Sequence, residues 1–115
     1  LQHDPGLHAG QRRAEAELAR QGCQLIICLS HLGNTPRGEG HFADPDVATK
    51  TRHTGLVIGG HTHTFFDAPK EYRNEAGRRV HVNQVGWAGM MLGRLDYSFV
   101  RGSRRAVQGR NTEVK

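Results

Sequence analysis

Apolar residues are unevenly spread along this chain, and two clusters are short uninterrupted runs, Leu25-Ile26-Ile27-Cys28-Leu29 and Leu56-Val57-Ile58. A run without polar alternation is how a strand covered on both faces reads. Strands are therefore predicted over 24–29 and 56–59. Ahead of the first run, residues 7–21 are mostly strong helix formers, with Leu7, Ala14 and Leu18 near one face and Gly22 as a natural stop. Arg12, Arg13 and Arg20 are expected on the solvated side of that helix. Between the runs, 33–43 is a Gly-, Asn- and Pro-containing loop, and Asp44-Pro45-Asp46 opens a short helix reaching about Arg52. Asp44 is expected as its N-cap and Pro45 at its first position. Strand, helix, strand of this length is a βαβ unit with parallel strands.

After residue 63 the pattern changes to alternation. Glu71-Tyr72-Arg73 and Arg79-Val80-His81-Val82-Asn83 flank Asn74-Glu75-Ala76-Gly77, which reads as a hairpin turn. Gly86 to Gly93 forms a glycine-rich link through Trp87, and Leu95, Tyr97 and Phe99 alternate as a further strand, so the second half is expected to be antiparallel. Residues 101–115 are polar and basic without periodicity and are expected to form a frayed tail. The fold class is α/β, a βαβ unit followed by antiparallel strands, within one domain across 1–115 and with no internal repeat.

The chemistry lies at the ends of the two apolar runs, which lead into Ser30-His31-Leu32-Gly33 and Gly59-Gly60-His61-Thr62-His63. Strands that each deliver imidazole at their carboxyl ends place three nitrogen ligands on one rim, where open α/β sheets put their sites. His31, His61 and His63 are thus candidate ligands for Zn, Mn, Fe or Co. Gly59 and Gly60 suit a backbone that turns tightly beside a cation. Ser30 and His31 are adjacent and point to opposite faces, which disfavours a nucleophile–base pair. No G-x-S-x-G elbow and no Walker or Rossmann glycine loop occurs. His3, His8, His41 and His53 fall in loop or helix-end settings and are expected to be solvated, and His81 is expected to face solvent from its strand. Asp44 and Asp46 are assigned to helix capping, Asp67 to a loop and Asp96 to a strand face. Cys23 and Cys28 are placed too far apart to pair.

Composition narrows the partner. Sixteen Lys and Arg against eleven Asp and Glu leave a formal charge of +5, which suits an anionic ligand. Aromatics are only 6%, and none interleave with basic residues as a stacking platform for single strands would require, so small phosphates are favoured over nucleic acid. No stretch reaches the roughly 18 apolar residues of a membrane span. The chain opens on Leu1 rather than Met, which suggests a fragment, a processed product or an engineered piece.

Taken in order, Ser30-His31-Leu32-Gly33, Gly60-His61-Thr62-His63, Asn83-Gln84-Val85-Gly86-Trp87-Ala88-Gly89 and Leu92-Gly93-Arg94-Leu95-Asp96 resemble the calcineurin-like metallophosphoesterases, specifically their 5'-nucleotidase branch. The resemblance runs from about Ala14 to Phe99. It implies a four-layer αββα sandwich of which this chain is the C-terminal half. It also implies two divalent metal ions, one held by His31 and His61 and the other by His63. The family's opening Asp-x-His, its bridging Gly-Asp and its Gly-Asn-His segment with the catalytic histidine do not occur here, so no catalytic residue is assigned and the chain alone is expected to be inactive. Counting ligands agrees, because two cations about 3.5–4 Å apart need a bridging carboxylate and more donors than three imidazoles. The implied activity is hydrolysis of a phosphate ester, most naturally a nucleoside 5'-phosphate. A cyclic-nucleotide phosphodiesterase, or a non-catalytic metal-binding fragment that pairs with a missing N-terminal half, are the alternatives. Family analogy implies an extracytoplasmic, periplasmic setting.

Overall fold

The computed structural model describes residues 5–36, 38–101 and 103–115. In chain order it contains α1 (Pro5–Arg20), β1 (Ile26–Leu29), α2 (Asp44–Thr49), β2 (Thr54–Ile58), β3 (Lys70–Arg73), β4 (Arg79–Asn83), β5 (Met91–Val100) and β6 (Ser103–Glu113). The first four strands form one sheet in the order β1-β2-β4-β3, and β5 and β6 form a separate two-stranded ladder. His3 lies outside the described residues.

The βαβ unit forms as the apolar runs require, with β1 parallel to β2. β4 also pairs parallel with β2, and only β3 runs against it. Within the second half the pairing is antiparallel as expected, β3 with β4 and β5 with β6, and it is the join of β4 to the βαβ unit that is parallel. The hairpin turn at 74–77 sets the β3–β4 register, but the strand that joins the older pair is decided by tertiary packing. On one face of the sheet Val57, Val80 and Val82 pack with Val47 and Ala48 of α2 and with Phe66, with Cys28, Leu32 and Tyr72 against them. This is the core.

α1 ends as Gly22 dictates: Gly22 has φ +87, and the Cys23 N–H reaches back to the Leu18 carbonyl. Its inward residue is not the predicted apolar stripe. Ala14 is exposed and Leu18 is 38% exposed, whereas Glu15 is buried. The Glu15 carboxylate accepts the backbone N–H groups of Arg52, His53 and Thr54 and the Thr54 hydroxyl, at 2.7–3.1 Å. Arg12 is not simply solvated either, since its guanidinium bonds the Lys50 carbonyl and Glu75. The helix is fastened by polar side chains that meet backbone left unpaired between α2 and β2.

Residues 103–113 form strand β6 and not the frayed tail that their composition predicts, paired along β5 from Val100↔Ser103 to Met91↔Glu113. Among its described residues most are exposed, so no hydrophobic alternation marks it. The ladder docks on β4 through a reciprocal amide pair, Asn83 Nδ2 to Asn111 Oδ1 at 2.9 Å and Asn111 Nδ2 to Asn83 Oδ1 at 2.7 Å. A second Asn111 bond reaches the Phe66 carbonyl. His81 is accordingly not solvent-facing: its side chain is 12% exposed, edge-on to Tyr97 and near Glu71. His8 is likewise packed, against the Phe42 ring.

The hairpin covers only the β4 side of this second face. Ile27 and Leu29 of β1 are 48% and 80% exposed and Ile58 of β2 is 42% exposed, so β1 is covered on one face and not on both. Among the described residues no helix is long and apolar enough to cross a membrane.

Candidate functional site

Because β1, β2 and β4 run parallel, their carboxyl ends share one edge of the sheet. Backbone bonds continue the ladder to that edge, from Ser30 N–H to the Ile58 carbonyl and from Gly59 N–H to the Asn83 carbonyl, both 2.9 Å. The segments that follow, 30–33, 59–64 and 84–86, are therefore neighbours at a single rim. His31, His61 and His63 all lie there and are all exposed.

The Gly59–Thr64 turn is tight and strained. The Thr62 N–H bonds the Gly60 carbonyl two residues back at 2.8 Å, with His61 between them at φ +71. Such a γ-turn is rare for a residue with a side chain. His63 is also left-handed, at φ +53. Two such residues so close together store strain of order 1–2 kcal/mol each, a level that recurs at functional sites. The surroundings hold the turn in place. Gln84 Oε1 accepts the Thr64 N–H at 2.7 Å, Gln84 Nε2 reaches the Thr62 hydroxyl, and Thr62 Oγ1 accepts the Asn34 N–H from the neighbouring segment.

The imidazoles divide into a pair and a single ring. His31 and His61 meet edge to face with centroids 5.0 Å apart. Gly60 allows this approach, since a Cβ there would stand 3.3 Å from His31 Nδ1. His63 is not part of the pair; it stacks on the indole of Trp87, with centroids 5.5 Å apart and planes 9° from parallel. Among the described residues no group of three His, Cys, Asp or Glu side chains could hold a metal ion. His41 and His53 stand outside this cluster.

Asp44 departs from its expected role. The N-cap of α2 is Ala43, with extended φ −129, and the capping contact is made by Asp46, whose Oδ2 accepts the Ala43 N–H at 2.9 Å. Asp44 is fully buried and accepts the Ser30 hydroxyl at 2.6 Å. Burial pushes its carboxyl above the usual range, while the Ser30 hydrogen bond and the neighbouring His31 pull in the opposite direction. Ser30 is thus occupied with Asp44 and is no nucleophile for His31. Gln84, Trp87 and Asp44 are noted in the sequence but not assigned to the site, which only the structure brings them to. Only Gln84 leaves a trace, as a polar residue at the inward parity set by Val80 and Val82.

The two cysteines are unpaired, Cys23 exposed and Cys28 half-buried beside Gln11. Asp67 is exposed after the turn, and Asp96 is exposed on β5, paired with Arg94.

Three known proteins are similar to this chain. The chain is 38% identical over 89 residues, 77% of its length, to the trifunctional nucleotide phosphoesterase protein YfkN of Bacillus subtilis (strain 168). It superposes on the 5'-nucleotidase precursor from Thermus thermophilus with a TM-score of 0.78 at 28% identity, covering 96% of the chain. It also shares the fold of the Haemophilus influenzae NAD nucleotidase, with a TM-score of 0.72 at 21% identity over 87% of the chain. The chain spans 6% of the length of the first of these proteins and 22% and 19% of the other two. No family model matches the sequence. On the shared sequence and architecture, this chain belongs to the calcineurin-like metallophosphoesterase family and fits the C-terminal half of a 5'-nucleotidase domain.

Proposed function

We propose that this chain is one part of a metal-dependent phosphoester hydrolase, a 5'-nucleotidase-like phosphomonoesterase, and contributes His31, His61 and His63 to a dinuclear metal site. The observation that carries the reading is the convergence of the three histidines on one rim, two of them in edge contact beside a strained turn. The donor set fits a share of such a site and not the whole of it. A His31–His61 pair supplies two nitrogens, and His63 supplies a third from beside Trp87. A complete dinuclear site would need carboxylates and further donors from elsewhere in the protein.

Held by His31, His61, His63 and further donors, two divalent cations would supply Lewis-acid polarisation of a phosphoryl group and a lowered pKa for bound water. The chain's own residues bind and orient. Gln84, Thr62 and Thr64 hold the turn so that His61 and His63 keep fixed directions, and Asn34 joins that turn to the His31 segment. The imidazoles would hold the metal through their ring nitrogens. The net positive charge draws in an anionic ester.

Metal content by elemental analysis and phosphomonoesterase activity are to be measured on the full-length gene product and on a His61→Ala, His63→Ala variant. Two metals and hydrolysis of nucleoside 5'-phosphates, both lost in the variant, are the expected result. Failure on every phosphate ester, or a variant that keeps its metal and activity, refutes the reading. A second reading, a non-catalytic fragment that assembles with a separate partner, is favoured by the bare stripe of Ile27, Leu29 and Ile58. It predicts metal without turnover in the same assay.

A further inference from the structure

Asp44 is a fully buried carboxylate that uses only one of its oxygens. Oδ1 takes the Ser30 hydroxyl, while Oδ2 is buried with no hydrogen-bond partner among the described residues. Buried polar groups are nearly always paired, and an orphan of this kind calls for a physical reason. Capping is not that reason, because Asp46 makes the capping bond.

Its position suggests another role. The Ser30 hydroxyl that donates to Asp44 also accepts the Leu32 N–H at 3.1 Å, so the two residues flanking His31 are bound through one oxygen. On the far side of the same segment, the Asp44 N–H donates to the Gly33 carbonyl at 2.8 Å. Asp44 therefore grips residues 30–33 at both ends. Its free oxygen lies against Gly59, where any Cβ would collide with it, and the next residue, Gly60, lies against the His31 ring. The carboxylate is wedged between the turn that bears His31 and the turn that bears His61 and His63.

We infer that Asp44 is a positioning residue for the metal site: it fixes the His31 segment against the Gly59–His63 turn, so that the two turns present their imidazoles together. This rests on the metal-site reading above. Carboxylates that support a liganding histidine from behind change metal affinity by about 10–100-fold. Asp44 makes that support indirectly, through Ser30 and the backbone of residues 30–33, and Gly59 is the residue that leaves room for it.

The test uses the full-length protein with Asp44→Asn, Ser30→Ala and Gly59→Ala variants. Zn²⁺ affinity is measured by chelator competition, the ligand field by the visible spectrum of the Co²⁺ form, and the fold by thermal unfolding of the metal-free protein. Asn keeps an acceptor for Ser30 and removes the charge. The expected result is a metal-free melting temperature within a few degrees of wild type, Zn²⁺ affinity lower by about 10–100-fold and an altered Co²⁺ spectrum. Gly59→Ala, whose added Cβ presses on Oδ2 while the carboxylate itself is retained, should change the Co²⁺ spectrum in the same direction. Should Asp44→Asn fail to fold, Ser30→Ala and Gly59→Ala carry the same readouts. Variants that melt lower yet bind Zn²⁺ as wild type, with an unchanged Co²⁺ spectrum, make Asp44 a packing residue and overturn the inference. A wild-type protein that takes up no Zn²⁺ and is indifferent to His31→Ala overturns the site reading, and the inference with it.

Discussion

Replacing Glu15 with alanine would remove the carboxylate that fastens α1 to the start of β2. Four hydrogen bonds end on its two oxygens: the N–H groups of Arg52, His53 and Thr54 at 2.8, 3.1 and 2.8 Å and the Thr54 hydroxyl at 2.7 Å. Thr54 is 2% exposed, so both of its donors would be stranded, whereas Arg52 and His53 can turn to water. A stranded buried donor costs about 1–3 kcal/mol, which puts the loss at about 3–4 kcal/mol once the hydroxyl rotates to a poorer acceptor. Domains of this size hold only about 5–15 kcal/mol. Urea unfolding followed by circular dichroism should show the midpoint fall by about 1.5–2 M, taking a slope of about 2 kcal/mol/M. Acid should do part of the same work. Burial raises the Glu15 carboxyl, but the backbone bonds from Arg52, His53 and Thr54 and the Thr54 hydroxyl outweigh it, so the group is held below its ordinary value. The unfolded chain thus binds the proton more tightly. The stabilisation is complete above the ordinary glutamate value, about pH 4.3, and is lost as pH falls through the lower folded value. In Glu15→Gln that slope should vanish. A midpoint shift equivalent to less than about 1 kcal/mol in Glu15→Ala, or an unchanged acid slope in Glu15→Gln, would show that the helix is held by something else.

Three further outcomes are expected. His61→Gly relieves a left-handed residue that costs about 1–2 kcal/mol, less the extra chain entropy of glycine, so the metal-free melting temperature should rise while metal retention falls. Gln84→Leu leaves the half-buried Thr64 N–H without its acceptor, and a loss of about 1–3 kcal/mol should come with faster metal release in a stopped-flow chelator assay. Asn111→Ala removes both halves of the amide pair with Asn83, which is 5% exposed, and the bond to the Phe66 carbonyl; hydrogen exchange should quicken across β5 and β6 before it quickens in β1 or β2.

Local rules were enough for the features whose cause is local. The apolar runs, the Gly22 stop, the 74–77 turn and the alternation of β4 and β5 each follow from a preference of a few neighbouring residues, and each is where the sequence puts it within a few positions. The placing of His31, His61 and His63 on one rim was legible for the same reason, because a parallel pair must end its strands on a common edge.

What lay beyond the sequence is whatever depends on a distant partner. β6 has no alternation because its ladder is exposed over much of its length, and it exists through pairing with β5 and the Asn83–Asn111 contact, 28 residues apart. Glu15 is inward because backbone donors between α2 and β2 need an acceptor, an arrangement that outranks the apolar face of α1. Asp44 and Asp46 are equivalent as helix-start residues in sequence. Only the extended backbone of Ala43 gives the cap to Asp46, and that assignment leaves Asp44 free to sit between the two histidine-bearing turns.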